Sequence, residues 1–398
     1  MPSQPNRRHV LSAGLCLPFA RGFNVPSTLQ SEGGGSGKRL LVLGGTRFLG
    51  PAIVKAALEM GFEVTLFNRG KSNPDLFPEL ERLKGDRDAG DLAALETGEW
   101  DVVVDTSGYV PDHVRQTAEL LRDRVQHYVF VSTISVYADF GAEYTDESAA
   151  VGEVSAEDLA AVQKIGDVFR TGGQLYGPLK ALCEQAAEAA MPGRVSNLRS
   201  GLIVGPEDSS DRFTYWCVRI AQGGEVLAPG DRDAEVQLTD VRDLGRFCVV
   251  AGRDRAAGVM NTVGFPFRVS MAEVLYGAKI VLGSDAQFRW VPSDFLLEEE
   301  VGPYMELPLW LPDGMRGHFD NTRCLAAGLT CRPLGDTIRD TLAWHLEERG
   351  EEHTWGRAGI NADRERALLD GWKARQEEVE TEEIPAPEAE EAEAAGAR

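Results

Sequence analysis

Tyr176 and Lys180 stand four positions apart in the run Tyr-Gly-Pro-Leu-Lys. That spacing puts both side chains on one face of a helix. Pro178 is compatible with the helix because it falls in the first turn. A phenol ordinarily titrates near 10. A neighbouring ammonium favours the phenolate and lowers that value, which makes Tyr176 a candidate proton carrier and Lys180 its electrostatic partner. Taken alone, the pair reads first as a packed tyrosine beside a solvated lysine, because Tyr and Lys four apart are common by chance. A second feature gives it context. Gly44-Gly45-Thr46-Arg47-Phe48-Leu49-Gly50 follows directly on the apolar run Arg39–Leu43 and leads into a helical stretch. Backbone N–H groups and the helix dipole at such a turn point at phosphate, and glycine permits close approach. Gly44 and Gly50 fit the first and third glycines of the pattern, while Arg47 holds the middle position.

The turn predicts a dinucleotide site, and the end of the next strand refines it. An acidic residue there would hold the ribose 2′-hydroxyl of NAD. The chain has Asn68-Arg69-Gly70-Lys71 instead. The guanidinium of Arg69, with Arg47 in reach, suits a 2′-phosphate, so NADP is expected over NAD. Asp86, in Gly85-Asp86-Arg87, is placed to meet the adenine amino group. Lys180 is expected to reach the nicotinamide ribose.

These residues need a frame. Arg39–Leu43, Glu63–Phe67, Trp100–Asp105, His127–Ser132 and Val195–Val204 read as strands. Pro51–Met60, Pro111–Arg122 and Tyr176–Ala190 read as helices between them. Strands alternating with helices predict an α/β, Rossmann-type doubly wound parallel sheet. Past residue 206 the rhythm loosens. The expected division is a cofactor domain over 38–206 and a smaller substrate-binding lobe over 207–376, with some elements returning to the sheet. Residues 1–37 carry Arg7-Arg8 before a short apolar run and end in a flexible Ser31–Gly37 linker. Twin-arginine export, organellar transit and an unprocessed cytoplasmic tail are the three readings of that segment. Residues 377–398 hold nine Glu and one Arg and are expected to be disordered or a frayed helix.

The whole chain has 398 residues, 43% of them apolar, with 63 Asp+Glu against 41 Lys+Arg and a net charge of −22. This is globular composition, and it argues against a general nucleic-acid surface. No run is long and apolar enough to span a bilayer. The six cysteines form no C-x-x-C pair and the histidines are scattered, so no metal site is expected and the thiols read as buried and reduced.

Val131-Ser132-Thr133-Ile134-Ser135-Val136-Tyr137, at the end of a strand, completes a recognisable set. With the glycine turn, Tyr-x-x-x-Lys, the Leu198–Pro206 strand and the Leu238–Leu244 segment, it resembles the extended short-chain dehydrogenase/reductase superfamily, the NAD(P)-dependent epimerase/dehydratase group. The Gly-Gly-Thr-Arg-Phe-Leu-Gly and Phe-Asn-Arg-Gly-Lys variants look closer to an atypical branch that includes chloroplast stem-loop RNA-binding proteins. The resemblance spans roughly residues 38–345. It implies Tyr176 as general acid/base, Lys180 as its partner, and Thr133 on the reacting oxygen. It further implies Ser132 beside the nicotinamide, Gly44, Gly45 and Gly50 on the pyrophosphate, and a homodimer through the helix of Tyr176. The implied reaction is hydride transfer at a hydroxyl or carbonyl carbon of a small, sugar-like substrate. A nucleotide-binding protein of the same fold that binds RNA, or binds NADP without turnover, is the rival. Ile134 and Ser135 are not acidic, which disfavours dehydration. Asp139–Asp167 reads as an acidic insertion beside the site. Arg212, Tyr215, Trp216 and Arg242 are candidate ligand contacts, with aromatic packing as the alternative, and Asp240 and Asp243 read as caps.

Overall fold

The computed structural model describes residues 37–165, 173–351, 355 and 358–382. The N-terminal targeting reading, and the acidic end beyond residue 382, lie outside them. The first half of the chain is β1 (Arg39–Leu43), α1 (Leu49–Glu59), β2 (Glu63–Asn68), β3 (Glu81–Lys84), β4 (Trp100–Asp105), α2 (Pro111–Leu121), β5 (Val125–Thr133), α3 (Ala156–Ile165), α4 (Tyr176–Ala190), β6 (Val195–Ser200) and β7 (Leu202–Val204). The second half is α5 (Thr214–Ala221), β8 (Glu225–Pro229), β9 (Leu238–Asp240), α6 (Val241–Asp254), β10 (Gly258–Thr262), α7 (Met271–Leu282), β11 (Gln287–Val291), α8 (Ser293–Glu298), α9 (Thr322–Ala326), α10 (Leu334–Arg349) and α11 (Ala362–Glu382).

Seven strands form one parallel sheet in the order β10-β6-β5-β4-β1-β2-β3. The central strands are apolar almost throughout because helices cover both faces. On one face Ile53 and Val54 of α1 pack with Leu244 and Phe247 of α6 over Val42, Val104 and Val129. On the other, Val114 and Leu121 of α2 meet Cys183 and Ala187 of α4 over Leu41, Val103 and Phe130. This is the doubly wound, Rossmann-type arrangement. The strand order runs outward from β1 in both directions, so the crevice between the ends of β1 and β4 is the topological switch point, where such sheets bind ligands.

The expected strand Val195–Val204 is two strands. Its first part pairs with β5 and β10 inside the main sheet, and that ladder ends at Ser200–Thr262. After Gly201, β7 pairs with β9 in a separate two-stranded sheet. The loosely patterned region after residue 206 contains a helix, α5, whose Tyr215 and Trp216 are fully buried with Leu275 of α7 and Leu227 of β8. The segment also supplies β10 to the main sheet. Helix α7 opens with a capping box between Ser270 and Glu273 and closes at Gly283. Residues 377–382 continue α11. Cys183, Cys217, Cys248 and Cys324 are buried free thiols, and Cys331 is a partly exposed one. Among the described residues no helix is long and apolar enough to cross a membrane, and no acid, His or Cys cluster fits a metal ion.

Candidate active site

A cleft of about 560 Å³ opens at the switch point. Its walls include Gly44 to Leu49, Asn68, Arg69, Asp86, Ser132, Tyr176 and Lys180, so most residues singled out from the sequence meet there. Gly50 and Thr133 are absent from that lining and act from behind it.

The turn after β1 is built around missing side chains. Gly44 and Gly45 have φ of +106° and +86°, a region that L side chains rarely adopt. A Cβ at Gly44 would lie 2.5 Å from Thr106 Oγ1, and one at Gly50 would lie 2.5 Å from the Gly45 carbonyl carbon. The first turn of α1 therefore packs directly on the loop, leaving a backbone cradle facing the cleft. Asn68 braces it: its amide donates to the Gly44 carbonyl oxygen at 3.1 Å, and its side-chain oxygen accepts from Gly70 N at 3.0 Å. Asn73 donates to the Thr46 carbonyl oxygen at 2.7 Å.

Arg47, Arg69 and Lys71 line the adjoining end and are exposed. Arg69 pairs with Asp88 at 3.1 Å. The Asp86 side chain accepts the Asp88 backbone N–H at 3.1 Å, so one of its oxygens is already used by its own turn.

The floor of the cleft holds a pair the sequence reading missed. Arg87 donates twice to Asp105, at 2.8 and 2.9 Å. Tyr128 Oη and Ser107 N complete the shell of that carboxylate at 2.8 and 3.0 Å. Burial opposes the charge on Asp105, but the Arg87 guanidinium outweighs it and holds the carboxyl below its usual range. Burial likewise opposes the Arg87 charge, and Asp105 holds that pKa up. The signal was present: a carboxylate follows the apolar run Val102–Val104 at the end of Trp100–Asp105, and such a buried charge requires a partner.

Tyr176 and Lys180 occupy the first turns of α4. A Cβ at Gly177 would lie 1.8 Å from the Ser135 carbonyl oxygen. Only glycine lets α4 come down onto the single 3-10 turn Ile134–Val136 that follows Thr133. That approach brings the Tyr176 phenol into a hydrogen bond with Thr133. Thr133 Oγ1 in turn accepts from Ser135 N at 3.1 Å.

The ionisation of Tyr176 departs from expectation. Burial and then the neighbouring Tyr109 push the phenol up to about 12, against the Thr133 hydrogen bond and the charge of Arg212. The Lys180 ammonium does not supply the expected lowering. It is 3% exposed, donates to the carbonyl oxygens of Val131 at 2.6 Å and Gly108 at 2.8 Å, and lies 4.0 Å over the Phe130 ring. Burial brings its pKa down to about 8. The two residues share α4; the ammonium expected to lower the phenol is outweighed by desolvation, and a cationic nicotinamide would add its lowering only when bound.

Behind the site, Ser132 Oγ donates to Glu184 Oε1 at 2.5 Å, and Arg199 binds the same carboxylate at 3.0 and 2.7 Å. Arg199 also lies 4.8 Å over the Tyr137 ring. Of the remaining candidates, Tyr215 and Trp216 belong to the core, and Arg242 is bound by Asp240 and Asp340. Asp240 caps α6 through Arg242 N, and Asp243 holds Arg332. Arg212 stacks on Tyr304 at 4.8 Å, on the Tyr176 side of the cleft. Within the acidic insertion, Thr145 pairs with Phe319 and Val162 of α3 packs with Leu179; its residues 166 and 167 lie outside the described ones.

Comparison with known proteins agrees with this fold. Residues 40–263 match the family described as NAD dependent epimerase/dehydratase family. Chloroplast stem-loop binding protein of 41 kDa b from Arabidopsis thaliana is 27% identical over 187 residues, 42% of this chain. The match spans about half, 49%, of that relative's length. The fold is shared with UDP-glucuronic acid 4-epimerase from Bacillus cereus in complex with NAD. There the TM-score is 0.56 at 15% identity, over 80% of this chain and 99% of that one. It is also shared with human epimerase family protein SDR39U1 with NADPH. There the TM-score is 0.52 at 20% identity, over 77% of this chain and 99% of that one.

Proposed function

The chain belongs to the NAD dependent epimerase/dehydratase family, and on that premise we propose that it is an NAD(P)-dependent oxidoreductase or epimerase. Its substrate is a sugar-like or other small molecule, changed at a hydroxyl or carbonyl carbon. The observation that carries the reading is the convergence of the glycine cradle, Tyr176 and Lys180 on one cleft at the switch point. The cradle fits a pyrophosphate because any side chain at Gly44, Gly45 or Gly50 would meet another part of the protein. The bound nicotinamide supplies hydride chemistry.

The chain's own residues do the rest. Backbone N–H groups of residues 45–49, from the glycine turn into the start of α1, would hold the phosphates. Tyr176 takes or gives the proton at the substrate oxygen, and Thr133 fixes the phenol by its hydrogen bond. Raised to about 12, the phenol holds its proton at neutral pH and is a weaker acid than an ordinary tyrosine. Lys180 fixes the loop of Gly108 against β5 and would supply positive charge to a ribose held in the cleft. Arg47, Arg69 and Lys71 supply the cations that favour NADP over NAD.

Native mass spectrometry of the purified full chain tests the reading. The expected result is a nicotinamide dinucleotide mass, retained in Tyr176→Phe and lost in Gly44→Ala. Across a carbonyl-substrate panel, Tyr176→Phe is expected to lose turnover by about 100-fold or more. Failure of the wild-type protein to bind either dinucleotide overturns the proposal. The name of the Arabidopsis relative favours a second reading, RNA stem-loop binding, which filter binding across a salt titration checks. The chloroplast address in that name supports the organellar reading of residues 1–37, which sequencing the mature N-terminus tests.

A further inference from the structure

We propose that Asp88 sets the choice between a 2′-phosphate and a free 2′-hydroxyl, by holding Arg69 in the phosphate's place. The inference rests on the reading of the cleft as an NAD(P) site and names a specificity-determining residue within it. At the end of β2 the cleft is lined by Arg47, Arg69 and Lys71, with Asp86 and Asp88 across from them on the loop after β3. Arg87, on the same loop, is neutralised by Asp105. The five remaining formal charges sum to +1, and neutralising Asp88 makes that sum +2.

Asp88 is built into its position. Its backbone N–H donates to Asp86 Oδ1, and the Ala89 N–H closes the turn on the Asp86 carbonyl oxygen at 3.2 Å. The loop therefore presents this carboxylate to Arg69, Oδ2 to Nη1, at 3.1 Å. The pair is open to water, with the two side chains 49% and 55% exposed. Such a pair is weak, and a doubly charged phosphate can exchange it. The carboxylate also has a second place to go. Its Oδ1 already faces His113 Nδ1 at 3.5 Å. Asp88 also borders a second hollow of about 320 Å³, lined by Ala89, Gly90, Asp112, His113 and Gln116. A 2′-phosphate takes Arg69, and Asp88 turns to the His113 side. With a 2′-hydroxyl, Asp88 keeps Arg69, and that pair stays intact. The wild-type protein therefore accepts both cofactors with a smaller NADP preference than its three cations alone would give.

The test measures NADPH and NADH dissociation constants by fluorescence titration of the full chain: wild type, Asp88→Asn, Arg69→Gln and the double variant. Both positions are exposed, so folding is not at stake. Asp88→Asn is expected to tighten NADPH about fivefold and to leave NADH within about twofold. In the Arg69→Gln background the gain disappears, because the phosphate no longer has that partner to recover. Equal shifts for both dinucleotides, no shift in either, or a gain that survives Arg69→Gln overturn the role of Asp88 while leaving the cofactor site standing. Failure of the wild-type chain to bind either dinucleotide removes the cofactor site and this role together.

Discussion

A lysine 3% exposed and donating to two backbone carbonyl oxygens carries its charge against desolvation. The physical consequence for Lys180 is a dependence of stability on pH with a definite sign. Its folded pKa of about 8 lies below the ordinary value of 10.5. Between those values the unfolded chain holds more protons than the folded one, so stability rises with pH. The stabilisation is complete above about 10.5 and is lost as pH falls through about 8. A difference of about 2.5 pKa steps corresponds to roughly 3 kcal/mol. Tyr176 works the other way, since its raised pKa lowers stability as pH climbs, but only from about 10 upward. Urea unfolding of wild type and Lys180→Met at several pH values between 8 and 10 isolates the lysine. The wild-type stability, relative to the variant, is expected to climb across that window. A flat difference would show that Lys180 titrates normally and that its buried placement is wrong.

At the scale of elements, the question is what keeps α4 in register with the ends of β5 and β6. Glu184 is one turn beyond Lys180, and Arg199 of β6 and Ser132 of β5 both reach it. Arg199 and Glu184 are each 6% exposed. Losing one partner of such a pair leaves a buried charge uncompensated, at about 3–5 kcal/mol, whereas replacing both with apolar groups recovers much of the loss. Arg199→Met is therefore expected to lower unfolding stability by at least about 3 kcal/mol. The double variant Arg199→Met with Glu184→Leu is expected to lie closer to wild type. A double variant no better than the single would assign the loss to packing against Tyr137 instead. This device was not legible in the sequence, because it joins residues 132, 184 and 199 through tertiary contact alone. The elements themselves were legible where periodicity is strong: β1, β2, β4, β5, α2 and α4 stand close to where the apolar patterns put them. The glycine turn was legible because its chemistry is local. Which residue would partner Asp105, and the break at Gly201, were not, since each depends on which strand lies next door.

At the scale of the whole molecule, an anionic dinucleotide must enter a protein of net charge −22. Residues 377–398, with nine Glu and one Arg, hold −8 of that total. Attraction is local, confined to Arg47, Arg69 and Lys71 beside the cradle, while the repulsive charge is spread over the surface and the C-terminal end. The two have different ranges, and salt separates them. The screening length is about 30 Å at 0.01 M and about 10 Å at 0.1 M. Raising salt across that interval removes the distant repulsion and spares contacts made within a few ångströms. Affinity for NADPH, measured by titration at about 10, 30, 100 and 500 mM salt, is therefore expected to hold or strengthen up to about 100 mM. It should weaken only beyond that point. A protein that neutralises a nucleic-acid backbone through several basic contacts behaves oppositely, losing affinity steadily from the lowest salt upward. A monotonic, steep loss for NADPH would mean that long-range attraction dominates at the cleft mouth, and the local-capture account would fall. The same loss for an RNA stem-loop, with NADPH unaffected, would place a second basic surface on the chain despite its overall charge.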